Sequence, residues 1–375
     1  MKRPQRTPSG AFSGESAARA LLRFARAELA HLGVIHPSDR PWAMPVAAAL
    51  ASGLPLLAGA YFGHIGFGLI SSLGGMVFLY LPETSMQHRM LWLMACASGM
   101  MACYTLGLAS ELSALLRFPA LTFMAILVMM TLRLYGVGPP GGVFFIMAAA
   151  IGAYTPVAPD QFPYAVGLFA LGTLVACAVA FVYSAHTLRR RPAKPVPALP
   201  APSFDFVVYD SVVIGLCVGA SLGLAQLLQM QRPYWVPVSC LAVIQGASLR
   251  AVWTKQLQRI LGTTVGVGVA WALLLLPLGP WGIALAVMAL TVIVETIVVR
   301  NYGVAAIFIT PLTILLADAA NLAGVPAGTL LHARLLDTVL GALFGLLGGV
   351  FLHHGILRDR LSGALRRLLL PRLPA

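Results

Sequence analysis

The chain has 375 residues, 59% of them hydrophobic and only 10% charged, where soluble globular domains carry about 25% charged residues. With a mean hydropathy of +0.86, this composition excludes a soluble globular body and marks a polytopic membrane protein. The formal net charge of +13 does not point to nucleic acid, because the basic residues are distributed as membrane topology requires.

In chain order, residues 1–41 open as a polar tail and continue with a helical pattern in which Leu21, Leu22, Ala25, Leu29 and Leu32 oppose Arg19, Arg23 and Arg26. The pattern predicts a basic amphipathic helix on the inner membrane surface, with a grip on anionic headgroups or gating of a cytoplasmic opening as functional alternatives. Lys2 and Arg3 lead into polar residues rather than into an apolar core with a cleavage site, so no cleavable signal is expected. Apolar segments then recur near 44–62, 66–81, 91–109, 118–133, 142–157, 164–185, 208–228, 234–249, 260–276, 280–298, 303–317 and 334–353. They predict an all-α fold of about twelve transmembrane helices. From a cytoplasmic N-terminus, only Arg117, Arg232 and Arg334 fall outside, and 22 of the 25 Lys and Arg residues fall inside. That asymmetry follows the positive-inside rule and predicts both termini in the cytoplasm.

The segments group into two halves. Residues 42–188 and 206–356 each hold six spans, joined by the Pro-rich linker 189–205 and followed by a basic, amphipathic tail, 357–375, expected to anchor on the surface. A shift of 167 residues lays Phe67 to Gly99 under Tyr234 to Gly266, and one of 169 lays Leu171 and Gly172 under Leu340 and Gly341. Six is even, so the halves are expected to share one orientation and to be related by an axis along the membrane normal. Short or interrupted segments recur at the second and eighth positions, with Gly68, Gly74, Gly75 and Pro82 against Pro237. They recur at the fifth and eleventh, with Pro139 to Gly142 against Gly303 and Pro311. Broken backbone at membrane depth needs protein or a water-filled cavity around it, so these four spans are expected to line a pathway; tight packing is the other use of their glycines.

The most specific stretch is Tyr234 to Gly268, two apolar segments around a short hairpin carrying Arg250, Lys255 and Arg259. The first segment contains Pro237, Ser239 and Gln245, and at about 1.5 Å per residue it barely crosses a hydrocarbon core of about 30 Å. Tyr234 and Trp235 stand at its outer end, either in the interfacial aromatic belt or in an aromatic vestibule where Gln245 offers an amide donor to a carboxylate. The second segment opens on Gly262, Gly266 and Gly268, a small-residue face for a neighbouring helix. Arg250, Lys255, Arg259 and Arg300 are expected together at the inner face. Topology explains Arg250 and Lys255, whereas Arg259, and Arg300 beside Asn301, are candidates for a cationic mouth that concentrates anions. Glu295 and Asp337 are the ionisable residues nearest membrane depth. Each is a candidate proton carrier; the structural alternatives pair Glu295 with Arg259 or Arg300, and Asp337 with Arg334 three residues earlier.

The order Tyr234-Trp235-x-Pro237, Gln245, Arg259-x-x-Gly262-Thr263, Arg300-Asn301-Tyr302-Gly303, Thr310-Pro311, Asp337-Thr338, Gly341 and Gly345 resembles the fusaric acid resistance family of bacterial inner-membrane proteins, described also as aromatic acid exporters. At matching positions the first half has Phe67-Gly68-Leu69-Ile70 in place of Tyr-Trp-Val-Pro, Phe78 for Gln245, Glu83 for Arg250 and Trp92 for Arg259. One site, in the second half or between the halves, is therefore expected. The resemblance implies a proton-driven exporter of small aromatic acids in the inner membrane. Its substrate path would run along Tyr234, Trp235, Pro237, Gln245, Arg250, Arg259, Arg300, Asn301 and Pro311, with Glu295 and Asp337 coupling protons. An anion channel akin to the plant aluminium-activated malate channels, or a membrane scaffold, are the alternatives. Expected partners are membrane lipid and a small organic anion, with a homo-oligomer or a periplasmic adaptor as further candidates and no nucleic acid. There is no Walker loop, dinucleotide fingerprint or nucleophile elbow, so neither an enzyme nor a cofactor is expected. Cys96, Cys103, Cys177, Cys217 and Cys240 fall inside apolar segments without metal-ligand spacing, so neither a disulfide nor a metal is expected.

Overall fold

A computed structural model describes residues 32–199, 201, 203–318 and 327–369, together with Arg19 and Arg23. The amphipathic helix expected within 1–41 lies almost wholly outside the described residues. Among those residues there are thirteen α-helices and no strand. They run α1 (Ala43–Tyr61), α2 (Ile65–Gly75, prolonged by a 3₁₀ turn, Met76–Tyr80), α3 (Met86–Glu111), α4 (Ala114–Leu134), α5 (Val143–Gly152) and α6 (Phe162–Leu188). After the linker come α7 (Asp210–Leu227, entered through a π-helical turn, Asp205–Tyr209), α8 (Trp235–Ile244), α9 (Leu249–Leu274), α10 (Pro280–Ile297), α11 (Tyr302–Asp318), α12 (Ala327–His353) and α13 (Gly355–Leu369).

Eight of them, α1, α3, α4, α6, α7, α9, α10 and α12, are long and apolar enough to cross a membrane, rather than the twelve expected. The other four apolar helices, α2, α5, α8 and α11, have only 10–17 residues, and they are the four expected to be short or interrupted, although α1 and α4 also carry internal prolines, Pro55 and Pro119. Local chemistry sets their ends. Ahead of α5, Gly141 adopts φ +59°, a conformation that costs a side-chain-bearing residue but not glycine. Its carbonyl accepts a 2.6 Å hydrogen bond from the Tyr80 hydroxyl at the end of α2's 3₁₀ turn. After α8, Ser248 caps α9 by accepting from the Ala251 amide at 3.2 Å. Helix α9 therefore begins well before Ile260, where the apolar stretch starts.

Each short helix packs on longer ones. α2 lies against α1 and α6, and α8 against α7 and α12; α5 lies on α3, and α11 on α9. Two further seams, α4 with α7 and α10 with α1, join the helices before the linker to those after it. Backbones meet closely at the α2–α6 and α8–α12 contacts: a Cβ at Gly172 would collide with the Ser71 carbonyl, and one at Gly341 with the Val236 carbonyl. Gly262 and Gly266 seat α9 on α11 in the same manner, whereas Gly268 faces open space.

Polar contacts gather the connections at two ends. At the linker end, Lys194 pairs with Glu83, and Asp210 at the head of α7 is held by Arg133 of α4 (2.8 Å) and Arg358 of α13 (3.0 Å). Arg366 of α13 reaches Asp205 at 3.0 Å, which ties the described part of the basic tail to the turn that leads into α7. At the opposite end, Arg117 stacks over Tyr154 at 4.6 Å and Tyr154 meets Tyr234 at 5.9 Å. Arg117 lies in the first turn of α4, and Tyr154 and Tyr234 follow α5 and α7.

Candidate functional site

The four short helices surround a cavity of about 1140 Å³. Its wall is largely apolar: Ile70 and Met76 from α2, Met147 from α5, Val238 from α8 and Ile309 and Leu312 from α11. Half-length helices cannot fill the bundle from end to end, which is why space remains among them. The charged lining comes from the longer neighbours: Lys255 and Arg259 from α9, Glu295 from α10 and Arg334 from α12, with Arg40 and Arg232 contributed by connecting segments.

Arg259 is the central feature. Because α9 starts at Leu249, Arg259 lies deep within a helix of spanning length rather than at its inner mouth, and it is only 4% exposed. Its guanidinium donates to the Ser239 hydroxyl midway along α8 and to the Tyr302 hydroxyl at the start of α11, each at 3.3 Å. Its Nε has no hydrogen-bond partner, and among the described residues no carboxylate pairs with it. Trp235 precedes Ser239 by one turn, about 5.4 Å along the axis, and Arg334 stacks over the Trp235 ring at 4.1 Å. Two guanidiniums from different helices thus approach one face of α8 inside the cavity.

Lys255, one turn before Arg259, also lines the cavity and has no ion-pair partner among the described residues. Glu295, 8% exposed, pairs neither with Arg259 nor with Arg300 but with Arg40, whose Nη1 donates to its Oε2 at 2.9 Å and to its carbonyl at 3.1 Å. Arg40 was missed because it stands in a polar segment 255 residues away along the chain. The segment 32–40 runs across the linker end as a strap: Asn301 donates to the Leu32 and Val34 carbonyls at 2.8 and 3.0 Å, Gln258 to Leu32 at 3.3 Å, and the His36 amide to the Arg300 carbonyl at 2.9 Å.

The other expected site residues divide cleanly. Tyr234 and Trp235 are 7% and 2% exposed and line the cavity, so their rings face inward rather than outward as belt residues. Gln245 lines the linker end, its amide donating to the Leu241 carbonyl at 3.0 Å. Pro237 and Pro311 are buried in their helices, outside the lining, and Asp337 is buried on α12, also outside it. Arg250 and Arg300 are exposed and do not join the cavity. Asn301 spends its side chain on structure: besides holding the strap, its Oδ1 accepts from the Val304 amide at 3.0 Å and caps α11.

Residues 216–348 match the family model described as fusaric acid resistance protein-like. The likeness to that family lies in this stretch, within the second half of the chain. Likeness to a relative extends beyond it: the uncharacterized membrane protein YvaC of Bacillus subtilis (strain 168) is 23% identical over 484 aligned residues, covering 89% of this chain and 76% of its own length. No solved structure matches the chain. Tyr234, Trp235, Gln245 and Arg259 all lie in the matched region and on the cavity wall.

Proposed function

We propose that the protein is a secondary transporter of small organic acids with an aromatic or apolar body, passing them through the cavity among α2, α5, α8 and α11. The observation that carries this reading is Arg259. A buried guanidinium in a spanning helix is costly, about 2.5–3.5 kcal/mol on insertion scales, and here only two neutral hydroxyls offset it. Such a site is retained for an anion that arrives from outside. Apolar walls and the inward-facing Tyr234 and Trp235 suit the body of the substrate, while Arg259 and Lys255 suit its carboxylate.

The family resemblance adds the direction, export from the cytoplasm across a bacterial inner membrane, and the proton as coupling ion, for which Glu295 is placed in the cavity. The packing plan supports a two-copy architecture. Renumbering α1–α6 onto α7–α12 carries α2–α6 to α8–α12, α3–α5 to α9–α11, and the α4–α7 seam to α10–α1. In that reading all twelve apolar helices are membrane elements and the linker end faces the cytoplasm. Equilibrium binding to the purified full chain tests the substrate class: benzenesulfonate and picolinate are expected to bind, and benzyltrimethylammonium, of similar size but opposite charge, is not. Preference for the cation would overturn the reading.

A further inference from the structure

We propose that Glu295 is an internal counter-ion that the substrate anion displaces from Arg40, so that each anion binds together with one proton. This rests on the anion-transport reading above and assigns the sign of its proton coupling. Arg40 lines the same cavity as Lys255 and Arg259, yet its Nη1 is committed to Glu295, once through the carboxylate and once through the carbonyl. It is delivered by the strap, which hydrogen bonds to Gln258 of α9 and to Arg300 and Asn301 hold over the mouth.

The other groups facing Glu295 are few. α1, packed along α10, has no titratable residue except Tyr61 at its far end. α11 offers Tyr302, the strap offers His36 and Asp39 besides Arg40, α9 offers Lys255 and Arg259 across the cavity, and Arg300 follows on α10's own end. Arg40 is the group with which Glu295 forms a contact pair. When an anion draws Arg40 toward Lys255 and Arg259, Glu295 is left as a buried carboxylate without its partner, and it takes a proton from water at the mouth. Binding of the anion and of the proton then favour one another, as linkage requires. A monoanion loads with no net change of charge. The proton becomes the passenger of the acid instead of the counter-ion exchanged for it, and outward flux draws on the gradient of the acid itself.

The test uses benzenesulfonate, whose own charge is constant between about pH 5 and 8, so any pH dependence belongs to the protein. Calorimetric titration of the full chain in two buffers of different ionisation heat counts protons taken up per anion; about one is expected, with Kd rising by up to about tenfold per pH unit where Glu295 exchanges its proton on binding. Glu295→Gln should take up none, lose the pH dependence and bind more tightly than wild type near pH 8, because Arg40 is already released. Arg40→Gln should bind more weakly and also take up none. Wild-type binding with no proton uptake, or a Glu295→Gln variant that keeps the wild-type pH slope, overturns the inference. The wild-type buffer comparison needs no variant to fold. If binding depends on Arg259 but carries no proton, the anion reading stands and only this coupling falls; if wild type binds no anion, both fall.

Discussion

Replacing Arg259 with Gln removes the charge from the centre of the cavity while leaving an amide able to meet Ser239 or Tyr302. The guanidinium has two neutral partners at 3.3 Å and one bare Nε, so its burial, about 2.5–3.5 kcal/mol on insertion scales, is not offset by an opposite charge. The variant should therefore unfold at the same temperature as wild type or a few degrees higher. Anion binding should lose a charge-assisted hydrogen bond of about 1.5–3 kcal/mol, which is roughly a 10- to 100-fold rise in Kd at about 1.4 kcal/mol per decade. Arg259→Lys keeps the charge without the planar fork and should fall between the two. The assay pairs a thermal unfolding midpoint with Kd for benzenesulfonate on the same purified samples. A Gln variant that reaches the membrane normally, melts lower and binds the anion as wild type does would show Arg259 to be only a tie among α8, α9 and α11.

Three further outcomes are expected. Lys255→Gln should weaken anion binding several-fold, about 1 kcal/mol for one charge at the cavity wall, whereas Arg250→Gln and Arg300→Gln, exposed and outside the lining, should stay within about twofold; equal losses at all three would mean a diffuse surface field. Asn301→Ala removes the α11 cap and two of the strap's hydrogen bonds, so it should cost about 1–2 kcal/mol and speed amide exchange of His36, measured by hydrogen–deuterium exchange; unchanged protection there would refute the anchoring. Gly341→Val, which would drive a side chain into the Val236 carbonyl, should abolish recovery of folded protein, while Gly268→Val, in open space, should be recovered in normal yield.

Much of this was legible in the residues. The apolar runs locate the helices, and the Gly and Pro interruptions single out α2, α5, α8 and α11, since broken backbone leaves space that a full-length helix would fill. The depth of Arg259 was not legible from hydropathy, because Arg250, Lys255, Gln256 and Gln258 make the first turns of α9 read as a polar hairpin. The signal was present in another form: Val252, Gln256, Arg259, Gly262, Thr263, Gly266 and Ala270 are the buried residues of α9, spaced three and four apart as one continuous helical stripe. The Arg40–Glu295 pair carries no local signal, since it joins a polar strap to a distant helix and depends wholly on tertiary packing. The 3₁₀ turn Met76–Tyr80 prolongs α2 while α8 stops at Ile244, and Trp92 and Arg259 stand at different distances from the starts of α3 and α9.

The central claim is that the cavity passes organic anions, and flux into proteoliposomes measures it most directly. With the full chain reconstituted, uptake of labelled benzenesulfonate, which as a permanent anion scarcely leaks through lipid, is expected to be well above that of protein-free vesicles and to fall roughly 10- to 100-fold in Arg259→Gln, in step with the lost charge-assisted hydrogen bond. Uptake no faster than in protein-free vesicles, with the chain folded and inserted, would contradict it.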